Sequence, residues 1–191
     1  MNERKESTTS IILEYVRVIV LTVIATFIFL QFVQISRVNG SSMENTYFQN
    51  NIVLIDKVFY KHSQPKRNDI IIVDYDDGLD DTLIIKRVIA VGGDHLDIKN
   101  NEVYINGKKI KENYIKENMN TEDLSIDIPK GKVFVMGDNR NHSLDSRKLG
   151  YFDFDNDVIG KVFFKDSFIG VFFLYRYVIK KHLYDKQILI V

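Results

Sequence analysis

Eighteen consecutive residues near the start of the chain, Val18 to Ile35, carry no charge, and only Thr22, Thr26, Gln31 and Gln34 interrupt an otherwise apolar run. As a helix it spans roughly 27 Å, close to the hydrocarbon core of a bilayer. A segment apolar on every side must be buried in protein or in lipid. The run is long for the apolar stretch of a cleaved leader, and no small-x-small cleavage site follows it. We therefore read residues 1–17 as a cytoplasmic N-terminus, 18–35 as an uncleaved transmembrane anchor and 36–191 as one body. Tyr15 and Arg17 flank the run as interfacial anchors. Arg4, Lys5 and Arg17 precede it, whereas only Arg37 lies close behind it. The excess of positive charge ahead of the span predicts that residues 36–191 lie outside the cytosol.

The 191 residues leave room for one domain, or one with a small insert. Apolar residues make up 45% of the chain and charged ones 27%, so the body can build a core. The 26 basic residues balance the 26 acidic ones, which excludes a general nucleic-acid binder. The absence of cysteine excludes a disulfide scaffold, a thiolate nucleophile and Cys-based metal or iron–sulfur sites. His62, His95, His142 and His182 form no pair at ligand spacing. No metal and no organic cofactor is expected. The acidic stretch Asp74–Asp81 imitates a calcium loop, but its glycine is one place early and Ile85 stands where the closing Glu belongs.

Short β-rich runs recur behind the anchor: Ile52–Tyr60, Asp69–Tyr75, Thr82–Val91, His95–Lys99, Glu102–Ile105, Lys132–Met136 and Val158–Lys165. Asn100-Asn101 and Asn106-Gly107 suit hairpin turns, because Asn and Gly accept positive φ. The apolar run Ile70–Val73 suits a strand buried on both faces. The sequence thus predicts a mostly β fold: an all-β body with a small inserted hairpin region near 97–128, in which Glu112–Asp127 is a loop or cap, preceded by one transmembrane helix. The aromatic stretch Phe168–Ile179 is too short to span and carries Arg176. It reads as a final core element or as an element on the membrane surface, within a tail at 167–191.

Three segments are candidates for chemistry. Val38–Thr46 is either a Ser/Gly linker at the membrane surface or a nucleophile loop, and the second needs a base brought to its serine. In Ile84–Asp94, Lys86 is either an edge lysine with its head in water or a buried amine. Burial would depress its pKa and let the neutral amine take a proton from a hydroxyl. Gly137–Arg147 is either a solvated turn or a fixed network of carboxylates, guanidiniums and hydroxyls supporting a nearby base.

Taken together and in this order, anchor, serine box, apolar strand, lysine box and Gly-Asp-Asn-Arg loop, residues 10–165 resemble the bacterial type I signal peptidases (peptidase family S26), membrane-anchored Ser-Lys proteases. The resemblance implies Ser42 as nucleophile and Lys86 as general base. It implies Met43 as a residue lining the substrate cleft, Ser143 as a hydrogen-bond partner of the lysine, and Asp145 with Arg147 as an ion pair bracing the site. It also implies preprotein substrates with small residues one and three places before the cut, contact with membrane lipid, and an extracytoplasmic catalytic domain.

Three positions depart from the family pattern. Asn45 and Gly92 stand where proline is usual, and Gly40 where some members carry a serine that donates to the oxyanion. The oxyanion hole is then left to main-chain N–H groups, including that of Ser42, together with water or a further donor. A non-cleaving assembly factor for exported subunits such as pilins is the alternative from another functional class; intact Ser42 and Lys86 argue against it.

Overall fold

The computed structural model describes residues 8–76, 81–165 and 188–190. Helix α1 (Thr8–Phe32) contains the apolar stretch Thr9–Phe29, which is long enough to cross a bilayer and has no residue buried against the protein. The helix starts before the predicted span 18–35 and stops at Phe32, because Val33–Ile35 pair in a sheet instead. These residues open strand β1 (Val33–Gly40), matched to β2 (Ile52–Asp56) from Val33↔Asp56 to Arg37↔Ile52. The handover is fixed by the Phe32 ring stacked on Phe59, centroids 5.5 Å apart.

The remaining strands are β3 (Ile70–Asp76), β4 (Asp81–Val91), β5 (His95–Lys99), β6 (Glu102–Ile105), β7 (Lys108–Lys109), β8 (Leu124–Asp127), β9 (Lys132–Met136), β10 (Phe152–Asp153), β11 (Val158–Lys165) and β12 (Ile188–Ile190), with a one-turn helix α2 (Ser146–Leu149) after β9. The fold is mostly β, as the strand runs predict. The strand expected over Ile52–Tyr60 ends at Asp56, whose carboxylate accepts hydrogen bonds from the N–H groups of Val58 (3.1 Å) and Phe59 (2.9 Å) and so turns the chain. Leu124–Asp127, read from its polarity as loop, pairs with β5 from His95↔Asp127 to Leu96↔Ile126 and Ile98↔Leu124. The aromatic tail segment Phe168–Ile179 lies outside the described residues.

One sheet has the order β10-β9-β4-β12-β1-β2-β11-β3, and a further β3–β4 pairing closes it into a ring. The second sheet, β7-β6-β5-β8, occupies residues 95–127. Its turns use Asn100 (φ 52°) with Asn101 (φ 64°), and Asn106 (φ 52°) with Gly107 (φ 75°), the paired positive φ values that match hairpin twist.

Ile71, Ile72 and Val73 are all fully buried because β3 separates two cores. Ile72 packs with Val38, Met43, Ile55 and Ile85, whereas Ile71 and Val73 pack with Ile84, Val88 and Val135. A third core joins Ile89, Phe134 and Met136 to Leu96, Ile98 and Ile105 of the second sheet. Strand β4 contributes to all three and so holds residue 86 in a fixed frame. β11 crosses β2 closely at Gly160, where an added Cβ would lie 2.3 Å from the Asp56 carbonyl oxygen. Gly160→Ala is expected to cost about 2 kcal/mol through this overpacking, read as a lower thermal midpoint with the Ser42 region intact.

Candidate active site

The serine loop begins where β1 ends. Gly40 has φ 124°, backbone space that side chains of L-residues rarely enter. This explains glycine at a position where some relatives carry serine. The chain then turns tightly: Glu44 N–H donates to Ser41 O (3.0 Å), and the N–H groups of Thr46 (2.9 Å) and Tyr47 (2.8 Å) donate to Met43 O. These bonds hold the turn with Asn45 in place of proline. Met43 is fully buried among Val38, Tyr47 and Val53, so it supports the loop from the core and does not line an open cleft in this structure.

Ser42 and Lys86 lie 44 residues apart in sequence, yet Lys86 Nζ is 2.8 Å from Ser42 Oγ, and neither residue has exposed surface. Burial strips water from the ammonium and lowers the Lys86 pKa from 10.5 to about 8; Asp145 opposes this shift and Arg147 adds to it. A charged lysine donates along the Nζ–Oγ line. A neutral one presents its lone pair along the same line and accepts the serine proton.

The third segment anchors this pair. Asn139 N–H donates to Ser42 O (2.9 Å), and its side-chain amide donates to Ser41 O (3.0 Å). Gly137 lies so close that a Cβ there would meet Ser42 O at 2.5 Å and Ser143 Oγ at 2.4 Å. Asp145 accepts from Gly137 N–H (3.0 Å) and is gripped by Arg147, Nε to Oδ1 and Nη2 to Oδ2, both at 2.8 Å. Burial pushes the Asp145 carboxyl upward, but the Arg147 hydrogen bonds and charge overcome it and hold the group below its usual range. Arg147 Nη2 also donates to Arg140 O at 2.6 Å. Ser143 packs on Gly137 near Asp145, and its Oγ makes no well-formed hydrogen bond. The bond to Lys86 implied by the family resemblance is therefore not made here.

The structure adds residues to which the sequence reading gave no role. Arg87 Nε donates to Asp138 Oδ1 (2.8 Å), Arg87 Nη2 donates to Asp138 Oδ2 (2.6 Å) and Thr46 Oγ1 (3.2 Å), and Thr46 Oγ1 donates to Asp138 Oδ2. This buried knot ties together the serine loop, the lysine strand and the Gly137–Arg147 segment. Tyr114 stacks on Arg87 with Cζ 3.9 Å from the ring centroid, and Glu112 takes a two-pronged hydrogen bond from the fully buried Arg140 side chain. The stretch read as a loop of the insert thus packs against the site. The available signal was adjacency: Arg87 and Asp138 sit inside the boxes that carry Lys86 and Asp145. Gly92 is explained as well, since a Cβ there would come within 2.9 Å of Lys130 Cα and Pro129 O. Among the described residues, no group of three or more His, Asp or Glu side chains is arranged to hold a metal ion.

Known proteins similar to this chain share one description. The family model described as signal peptidase, peptidase S26, matches residues 12–165. Signal peptidase I P of Bacillus subtilis subsp. natto is 33% identical over 172 residues, covering 84% of this chain and 91% of the relative. Signal peptidase I U of Bacillus subtilis (strain 168) is 37% identical over 132 residues, covering 64% and 70%. A crystal structure of a signal peptidase I from Enterococcus faecalis V583 aligns at 28% identity with a TM-score of 0.46, covering 53% of this chain and 98% of that one.

The buried amine carries a stability cost with a definite sign. Between pH 8 and 10.5 the unfolded chain holds a proton on Lys86 that the folded chain has lost, so this cost fades as pH rises. Lys86→Met is expected to unfold at higher temperature than wild type at pH 7, by up to about 3 kcal/mol at 1.4 kcal/mol per pKa unit. That advantage should shrink to nothing by about pH 10.5. Paired thermal melts across this range check it.

Proposed function

The chain belongs to the signal peptidase family, peptidase S26, and from that membership we propose that Ser42 is its nucleophile and Lys86 its general base. The protein is a type I signal peptidase, a serine endopeptidase that removes N-terminal signal peptides from exported preproteins. The observation that supports the residue assignment is the 2.8 Å approach of a buried lysine amine to a buried serine hydroxyl.

In the proposed mechanism the neutral Lys86 amine takes the Ser42 proton as Oγ bonds to the carbonyl carbon of the scissile peptide. Main-chain N–H groups, that of Ser42 among them, stabilise the oxyanion. The C–N bond then breaks, and Lys86 returns the proton to the departing amine. Lys86 next removes a proton from water, whose oxygen attacks the acyl carbon. Ser42 leaves as the hydroxyl after taking that proton back. Asp145 and Arg147 hold the loop under Ser42, and their opposed charges tune the lysine. Substrates carry small residues one and three places before the cut. The body lies on the outer side of the cytoplasmic membrane, with α1 in lipid, so that Ser42 sits just beyond the membrane surface, where a signal peptide's end emerges.

Preprotein cleavage in detergent and phospholipid tests the assignment. Ser42→Ala and Lys86→Ala should each lose at least about three orders of magnitude in kcat/KM while still folding, as a single cooperative thermal melt shows. Because only the neutral amine is active, wild-type kcat/KM should rise tenfold per pH unit up to a limb near pH 8. An acid limb at about 10, or a Lys86→Ala enzyme that still cleaves, contradicts the assignment. A wild type that binds preproteins without cutting them points to the assembly-factor reading.

A further inference from the structure

The ring of strands is completed by a short segment from the end of the sequence. β12 lies between β1 and β4 and runs parallel to both: Val38↔Ile188, Asn39↔Leu189 and Gly40↔Ile190 on one side, Ile188↔Leu83 on the other. These two neighbours are the strands that deliver the dyad. β1 ends at Gly40, two residues before Ser42, and β4 reaches Lys86 three residues after Leu83. All three run in one direction, so β12 is aimed at the Ser42–Lys86 pair. Independently, Ser42 and Lys86 have no exposed surface in this arrangement. A peptide carbonyl cannot reach Ser42 Oγ until something is displaced.

We propose that Ile188–Ile190 is an intramolecular occupant of the peptide slot beside the dyad, an autoinhibitory strand that an incoming preprotein must displace. The proposal rests on the assignment of Ser42 and Lys86 as the reacting pair. A slot between two strand edges binds an extended chain through main-chain hydrogen bonds, which are indifferent to whose chain it is. Ile-Leu-Ile is apolar and rich in β-branched residues, as a paired strand favours. Because the segment belongs to the same chain, its effective concentration at the slot is on the order of millimolar, enough for a weak ligand to compete. Competition of this kind raises the apparent KM by the inverse of the open fraction and leaves the turnover of bound substrate unchanged.

Full-length Leu189→Pro tests this, since proline lacks an N–H and does not fit a strand paired on both sides. If the segment fills the slot nine-tenths of the time, KM for a preprotein falls about tenfold with kcat unchanged. An end-capped peptide of residues 185–191, Asp-Lys-Gln-Ile-Leu-Ile-Val, should then raise the variant's KM again without changing kcat. An unchanged KM overturns the proposal. So does a joint fall in kcat and melting temperature, the outcome of a purely structural strand. If Leu189→Pro does not fold, the capped peptide is tested on the wild type: competitive inhibition supports the proposal, and none at millimolar peptide overturns it. Ser42→Ala assayed alongside keeps the two readings apart, because residual cleavage by that variant removes the dyad assignment whatever the KM comparison gives.

Discussion

An amine with no exposed surface, held 2.8 Å from a serine hydroxyl, is the interaction around which the rest of this molecule is arranged. In water a lysine is too basic to be neutral near pH 7. Here, where desolvation brings its pKa to about 8, roughly one molecule in ten carries the free amine at pH 7. The sheet provides that environment. β4 supplies apolar residues to three cores, so Lys86 is fixed in a frame that excludes water and cannot swing out to recover its hydration.

Such a frame is of use only if the serine is delivered to it with equal precision, and the polar residues do this. Arg87, Asp138 and Thr46 form one hydrogen-bonded knot joining the three segments that meet at the site. Breaking one partner of a buried pair leaves an uncompensated charge and costs about 3–5 kcal/mol, so the knot holds the segments in a single arrangement. Asn139 adds two bonds to the main chain of Ser41 and Ser42. Asp145 and Arg147 act through the same loop and bracket Lys86 with opposite charges. A tuned base, a fixed nucleophile and charged neighbours whose own charges are paired thus form one connected unit.

Much of this is legible in the sequence because it depends on local pattern. The strand runs, the Asn-Asn and Asn-Gly turns and the burial of Ile71–Val73 on both faces of their strand follow from periodicity and turn chemistry. Ser42, Lys86, Asp145 and Arg147 stand in recognisable boxes, and the fold brings those boxes together. What was not legible depends on contacts distant in sequence. β1 hides at the end of an apolar run and becomes a strand only because β2 pairs with it. β8 lies in a polar stretch and is fixed by β5. The clamp from Glu112 and Tyr114 comes from a segment whose composition reads as loop. Gly40 and Gly92 look like losses against a family pattern, yet one has a backbone angle and the other a close approach that favour glycine.

The central claim is that burial makes Lys86 a base at physiological pH, and direct titration of its side-chain nitrogen tests this without relying on turnover. With 15N-lysine in the full-length protein in detergent micelles, and Lys86→Met to identify the signal, the Lys86 resonance should titrate with a midpoint near pH 8. A midpoint near the free-lysine value of about 10.4 would show an amine that stays charged beside Ser42, and would contradict the account.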